Sequence, residues 1–524
     1  MFQEAASVVL KGIVSAVAAG VLWQRQIGNS ESGAQEVGMH LTHSIAWQQV
    51  RETFQKIWGY SDFRPPQGEI ISSLLTQQDT LIVMPTGGGK SICFQLPALL
   101  QTGLTLVVSP LVALMENQVQ ELQRRGLPAA ALHSELSSSQ RRNVLSALEK
   151  QRLRLLYLSP ETLLNETVWQ RLCQPELVVN GLILDEAHCL VQWGDTFRPA
   201  HRQLGMVRPA LLKHKPAGTK IAIAAFTATA DPQAQQVIRE VLQLQQPTSF
   251  LLNPYRPNLA LSTQTVWTPR GRRQALLRYI QAHPHQSGLV YVRSRRNGEE
   301  LASWLAQQGY QTAAYHAGLS PAERRRIEAA WLSGAIAFVV CTCAFGMGID
   351  KPDVRWVIHF HMPLLLSEYV QEVGRAGRDG NPAAARMLVS EPTGWLDSTD
   401  RQQQQFFLEK ARSQHQTAQR LIHKLPKTGN AAAVSRQFKD GAIALALLHR
   451  CGQLQWQDPF HYKILPAATA YSFRADSAAQ KMADYPHSKI CRWKFLLDAF
   501  GFTHEAASLR CGQCDRCLSQ RSPS

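Results

Sequence analysis

At 524 residues the chain has room for about three domains, and a 45% hydrophobic content supplies sizeable cores and excludes wholesale disorder. Lys and Arg number 55 against 39 Asp and Glu, a formal charge of +16 that fits a polyanionic partner, and residues 401–524 alone carry 18 basic against 8 acidic side chains, +10 of that excess. Ten cysteines in a chain of this size do not make a secreted disulfide scaffold.

The stretch Ala5–Trp23 is apolar apart from Lys11 and two serines. It is short for a membrane span and lacks a clear cleavage site, so residues 1–44 read as a loosely attached extension. Nothing else is apolar over a bilayer-spanning length, so no membrane partner and a cytoplasmic location are expected.

From residue 80 short apolar runs alternate with longer helical stretches. Leu81–Met84, Thr105–Ser109, Leu153–Leu158, Leu182–Asp185 and Ile221–Phe226 form one series. Leu289–Val292, Thr312–Tyr315, Ala337–Cys341, Val354–Phe360 and Ala385–Val389 form a second. Continuous apolar strands between helices predict parallel sheets covered on both faces. Ten strands suit two α/β lobes, residues 45–250 and 251–398, with the boundary near Leu251–Asn258. Beyond them Arg401–Leu425 and Ala442–His449 read as helices, and Gln453–Leu465 as a hairpin turning at Asp458-Pro459. Residues 399–475 are therefore expected to be a helical, winged-helix-like region; a helical connector with an unrelated ribbon is the alternative.

Met84-Pro85-Thr86-Gly87-Gly88-Gly89-Lys90-Ser91 joins an apolar strand to a helix. Its glycines let backbone N–H groups approach phosphate oxygens at a helix N-terminus. Lys90 is placed to reach the β- and γ-phosphates of ATP, and Ser91 to ligate Mg²⁺. The usual pattern has Gly where this chain has Met84. Asp185-Glu186-Ala187-His188 follows another apolar strand, where ligands bind in such sheets. Asp185 is the second Mg²⁺ candidate, and Glu186 the group that orients and deprotonates water. The second lobe carries Gln371, Arg375 and Arg378 in one short stretch, with two arginines suited to a γ-phosphate whose charge shifts during transfer.

The order of phosphate loop, DEAH box, Thr227-Ala228-Thr229 and Gln371–Arg378 resembles superfamily 2 helicases, which have two RecA-like lobes. Within that superfamily the chain is similar to the RecQ family over about Ile45–Val389. The resemblance rests on Phe63–Gln67, Ser109-Pro110-Leu111, Tyr157–Glu161, Tyr255–Leu259, Tyr315–Gly318 and Ala344–Lys351. It implies that Gln67 with Arg64 reads the adenine edge, that Asp350 joins the nucleotide site, and that Arg378 with Arg375 is the arginine finger. Gln192–Pro199 is similar to the aromatic-rich loop of RecQ, which implies that Trp193, Phe197 and Arg198 couple single-stranded DNA to hydrolysis, with His188, Thr227 and Thr229 relaying it. Asn117 and Asp195 depart from the family pattern.

Cys491, Cys511, Cys514 and Cys517 follow C-x19-C-x2-C-x2-C, a set of four thiolates suited to tetrahedral Zn²⁺, with an iron–sulfur cluster as the alternative. They resemble the RecQ zinc module, here residues 476–524, with Trp493 in place of a usual Arg. A module with little core of its own is expected to unfold without metal while the lobes survive. In longer RecQ proteins this module directly follows the lobes; here it follows residues 399–475, and a short form without an HRDC domain is expected. The resemblance implies a 3′–5′ DNA helicase of repair and recombination, with ATP, Mg²⁺ and Zn²⁺ as cofactors. Expected partners are single-stranded and tailed or forked duplex DNA and a single-stranded-DNA-binding protein. An RNA helicase or a non-hydrolysing DNA-binding scaffold is the competing reading.

Overall fold

The computed structural model describes residues 46–192, 199–346, 349–466 and 477–519. The expectations for Trp193, Phe197 and Arg198 lie outside the described residues.

Lobe 1 is built on seven strands, β1 (Thr80–Val83), β2 (Leu104–Val108), β3 (Ala129–Leu132), β4 (Leu155–Leu158), β5 (Val179–Leu184), β6 (Ala222–Thr227) and β7 (Thr248–Leu251). They pair in the order β3-β4-β2-β5-β6-β1-β7, and every pairing is parallel. Alternate residues enter separate cores: Leu81, Leu106 and Leu182 on one face, Ile82, Val107 and Ile183 on the other. Burial on both faces is why these strands read as unbroken apolar runs.

Lobe 2 has six strands, β8 (Leu259–Val266), β9 (Gly288–Tyr291), β10 (Thr312–Tyr315), β11 (Phe338–Cys341), β12 (Trp356–His359) and β13 (Ala383–Ser390), in the order β10-β11-β9-β12-β13-β8 and again all parallel. The two lobes thus have the RecA-like doubly covered architecture. Strands β3, β7 and β8 were not foreseen.

After β13 come the long helix Thr399–Ile422, β14 (Thr428–Asn430), helices Ala431–Gln437 and Gly441–Arg450, and the hairpin β15 (Leu454–Trp456) and β16 (His461–Ile464). The strands form an antiparallel sheet, β14-β16-β15, which is winged-helix connectivity. Leu421, Val434, Leu448, Trp456 and Tyr462 give it a core. Arg272 of lobe 2 roots this unit. Its buried guanidinium donates to Asp397 and Asp400, at 3.0 Å each, and to the Ser390 hydroxyl at 2.7 Å. At the other end helix Gly441–Arg450 packs on the 3₁₀ segment Pro199–Met206 of lobe 1. The hairpin tip meets lobe 1 as well: Phe460 lies edge-on to Trp169 at 5.3 Å, and Pro459 is buried.

The cysteine module does not stand apart. Cys491, Trp493, Leu496 and Phe500 share one continuous core with Leu259, Tyr369 and Val373 of lobe 2. Trp493 Nε1 donates to the Leu259 carbonyl (3.0 Å), and Asp515 accepts from the Thr263 N–H (3.2 Å), so the module covers the free edge of β8. This shared core counts against a module that unfolds while leaving lobe 2 intact. Among the described residues no helix is long and apolar enough to cross a membrane.

Candidate nucleotide cleft and zinc centre

Sheet order assembles the first half of the cleft. Strands β5, β6 and β1 are neighbours, so their C-terminal ends set Asp185, Thr227 and the phosphate loop side by side. Gly87 and Gly89 have φ of +82° and +78°, which a side chain would strain. A Cβ at Gly88 would come within 2.8 Å of Met84 Cγ. Met84 itself belongs to the strand end, with its N–H on the Thr227 carbonyl (2.9 Å) and its side chain in the core. That position has no positive φ, so the departure from Gly costs the loop nothing.

A cavity of about 530 Å³ between the lobes is lined by Arg64, Gln67, Thr86, Gly87, Gly89, Lys90, Ser91, Asp185 and Glu186 from lobe 1, and by Asp350, Gln371, Arg375 and Arg378 from lobe 2. Gln67 is buried; its amide donates to the Gly88 carbonyl (3.0 Å) and accepts from the Arg64 N–H (2.9 Å). Lys90 Nζ lies 3.3 Å from the Met84 carbonyl. Glu186 has a left-handed φ of +52°, a conformation a non-glycine residue adopts at a cost and one that recurs at functional sites. Burial opposes its ionisation, but Lys90, His188 and Arg375 outweigh that and hold its carboxyl well below the usual range. Burial and the adjacent Glu186 charge push Asp185 upward, against the pull of Lys90. A divalent cation beside Asp185 and Ser91 would relieve that strain, so the donor set fits Mg²⁺. Gln118, which sequence reasoning missed, donates to Asp185 at 3.4 Å; Asn117 beside it is exposed.

His188 Nδ1 sits 3.1 Å from Thr227 Oγ1 and 3.2 Å from Glu186, and the Thr229 N–H donates to Thr227 Oγ1 at 3.2 Å. Thr229 faces a small interlobe crevice with Thr86, Arg256, Gln371, Gly374 and Trp493. From lobe 2, the guanidinium of Arg375 is buried and donates to the Gly346 carbonyl, while Arg378 pairs with Asp350 at 2.8 Å and lays its stem over Gly87. Helix Leu366–Val373, which carries Gln371, is backed by the zinc module: Tyr485 Oη donates to Tyr369 Oη at 3.3 Å, with their rings 5.1 Å apart.

The four module cysteines offer sulfur atoms all within 4.8 Å of one another, and the Cys511–Cys517 and Cys491–Cys514 pairs are each 3.9 Å apart. Four Zn–S bonds of about 2.3 Å directed tetrahedrally put sulfurs about 3.8 Å apart, so the cluster has the size of a zinc site.

The chain matches three family models: DEAD/DEAH box helicase over residues 64–237, helicase conserved C-terminal domain over 271–380, and RecQ zinc-binding over 466–518. It is 53% identical over 476 residues to an ATP-dependent DNA helicase RecQ of Synechocystis sp., covering 90% of this chain and 99% of that protein. The RecQ of Haemophilus influenzae is 39% identical over 382 residues, 72% of this chain and 58% of that one. Among solved structures, Mycobacterium smegmatis Lhr bound to single-stranded DNA and AMP-PNP has a TM-score of 0.53 at 20% identity, covering 83% of this chain and 61% of Lhr. Saccharomyces cerevisiae Dbp5 bound to RNA and ADP BeF3 has 0.55 at 16%, covering 67% and 90%. Those two share the fold. With both helicase lobes, a four-cysteine zinc site and a relative matched over nearly its whole length, the chain belongs to the RecQ family of ATP-dependent DNA helicases, using ATP, Mg²⁺ and Zn²⁺.

Proposed function

We propose that the chain moves 3′ to 5′ along single-stranded DNA and unwinds tailed or forked duplexes, in DNA repair and recombination. The observation that carries the motor part of this reading is the composite cleft, in which Lys90 and Glu186 of lobe 1 and Arg375 and Arg378 of lobe 2 line one cavity, while direction and substrate rest on the family resemblance. A site split between two lobes ties each hydrolysis to a change at their interface.

In this reading the Gly87–Gly89 backbone and Lys90 hold the phosphates, while Arg64 and Gln67 hold the base. Ser91 and Asp185 would hold Mg²⁺, which would supply charge neutralisation at the phosphates. Glu186 orients the attacking water and takes its proton. Asp350 releases Arg378, which with Arg375 and Gln371 stabilises the charge of the transferring phosphate. Trp193, Phe197 and Arg198 sense the DNA strand, and His188, Thr227 and Thr229 carry that signal to Glu186.

The domain limits 1–44, 45–250, 251–398, 399–475 and 476–524 belong to the same reading, as do a cytoplasmic location and a single-stranded-DNA-binding protein as partner. The test is strand displacement on duplexes with either a 3′ or a 5′ tail, with DNA and RNA tracking strands compared. ATP-dependent unwinding of the 3′-tailed DNA substrate alone is expected. Preference for the 5′ tail, or for an RNA tracking strand, would overturn the proposal.

A further inference from the structure

Trp395 is 89% exposed and Trp267 61%, and both belong to lobe 2. Strands β13 and β8 pair with Ser390 opposite Val266, and the Glu391 N–H donates to the Val266 carbonyl at 3.0 Å. Trp267 directly follows β8 and Trp395 lies in the loop after the neighbouring β13, with Leu396, 58% exposed, next to it in the chain.

The backbone beneath Trp395 is fixed. The Glu391 carboxylate accepts from the Thr393 N–H (2.7 Å), the Thr393 hydroxyl (2.5 Å) and the Leu396 N–H (3.0 Å). Two residues past Trp395, Asp397 is held by the buried Arg272. Scattered exposed apolar side chains are ordinary, but two exposed indoles following neighbouring strands, one of them on a hydrogen-bonded loop, mark a contact surface.

Its charge is one-sided. Arg270, Arg273 and Arg401 are exposed, and the Arg401 stem lies against Gly394, 3.4 Å from where a Cβ would stand. The acids of the same segments are consumed internally, Glu391 by loop amides, and Asp397 and Asp400 by Arg272. Exposed flat rings among arginines are how proteins hold single-stranded nucleic acid without reading its sequence, bases stacking on the rings and phosphates on the guanidiniums.

We propose that Trp267 and Trp395, with Arg270 and Arg401, form a single-stranded DNA contact on lobe 2, outside the nucleotide cleft. This rests on the DNA-helicase reading. It makes affinity depend on strand length, because only a strand long enough to reach this surface gains the contact.

The experiment measures fluorescence anisotropy of short and long oligothymidylates with the full chain, wild type against Trp395→Ala, Trp395→Phe, Trp267→Ala and Arg401→Gln. Melting temperatures serve as the fold check. Trp395→Ala should raise Kd for the long strand about fivefold or more and leave the short strand unchanged, with Trp395→Phe restoring most of the loss. Arg401→Gln should flatten the log–log salt dependence by about 0.7. The DNA concentration for half-maximal ATPase stimulation should rise in step with Kd. Long-strand affinity equal to wild type in every folded variant overturns this site and leaves the face to a protein partner or to another segment of this chain. Absence of DNA-stimulated ATPase in the wild type is the separate result that sinks the helicase reading itself.

Discussion

Thr86 in the phosphate loop donates its hydroxyl hydrogen to the carbonyl of Gly374, 3.0 Å away across the interlobe cleft. Gly374 directly precedes Arg375, so one bond links the loop that faces the phosphates to the segment that carries the arginines. The Arg378 stem over Gly87 adds a second approach at the same place.

Thr86→Ala should therefore weaken lobe closure by about the net value of one hydrogen bond, roughly 0.5–1.5 kcal/mol. Steady-state kinetics should show DNA-stimulated kcat/KM for ATP lowered by about two- to tenfold, with Thr86→Ser near wild type. A serine variant as impaired as alanine would show that the methyl group, not the bond, matters.

Lys90→Ala and Glu186→Gln should both abolish turnover by different routes. Lys90 meets the phosphates in ground and transition states, so its loss weakens ATP binding as well as hydrolysis. Glu186 serves the water, so Glu186→Gln should bind ATP normally. Nucleotide binding and single-turnover hydrolysis measured side by side separate the two, and unimpaired hydrolysis in either variant contradicts the assignment.

Much of this cleft is legible in the sequence because its groups lie in short contiguous runs at strand ends, and Gly87–Ser91 and Asp185-Glu186 announce themselves. Gln118 was missed because it is one polar residue on an amphipathic helix, with nothing local to point it at Asp185. The missed strands have equally local reasons. Ala129–Leu132 is three alanines and a leucine without β-branched residues, and Thr248–Leu251 is an edge strand that is largely exposed. Leu259–Val266 carries four polar residues in a row, Ser262–Thr265, and its edge is met by the zinc module, a partner some 230 residues away. Nothing local in the sequence shows that Tyr485 and Trp493 are buried in one core with the helix holding Gln371.

That shared core changes what metal loss should do. Cys514→Ser, or removal of zinc by a chelator, should destabilise lobe 2 together with the module. Hydrogen exchange should speed up in Leu366–Val373 as well as in Arg492–Ala499. Metal analysis should find one zinc per chain. Iron in its place, or exchange confined to the module, would contradict the coupling.

The hairpin at Asp458–Phe460 is docked rather than presented to a duplex. Phe460→Ala should lower the melting temperature, since an edge-on aromatic pair contributes about 0.5–1.5 kcal/mol beyond its buried area. Forked-duplex unwinding per ATP hydrolysed should stay near wild type. Lost unwinding at full ATPase activity and unchanged melting temperature would instead make the tip a strand-separating wedge.

The central claim is that hydrolysis needs both lobes, and Arg378→Ala tests it most directly. Its guanidinium is held by Asp350 and its stem lies over Gly87, among the lobe 2 residues that line the cavity. Single-turnover hydrolysis with saturating single-stranded DNA should fall by about 10³ or more, while ATP binding stays within a few-fold of wild type. Hydrolysis at the wild-type rate would mean that lobe 1 works alone, and the account of a two-lobed motor would be wrong.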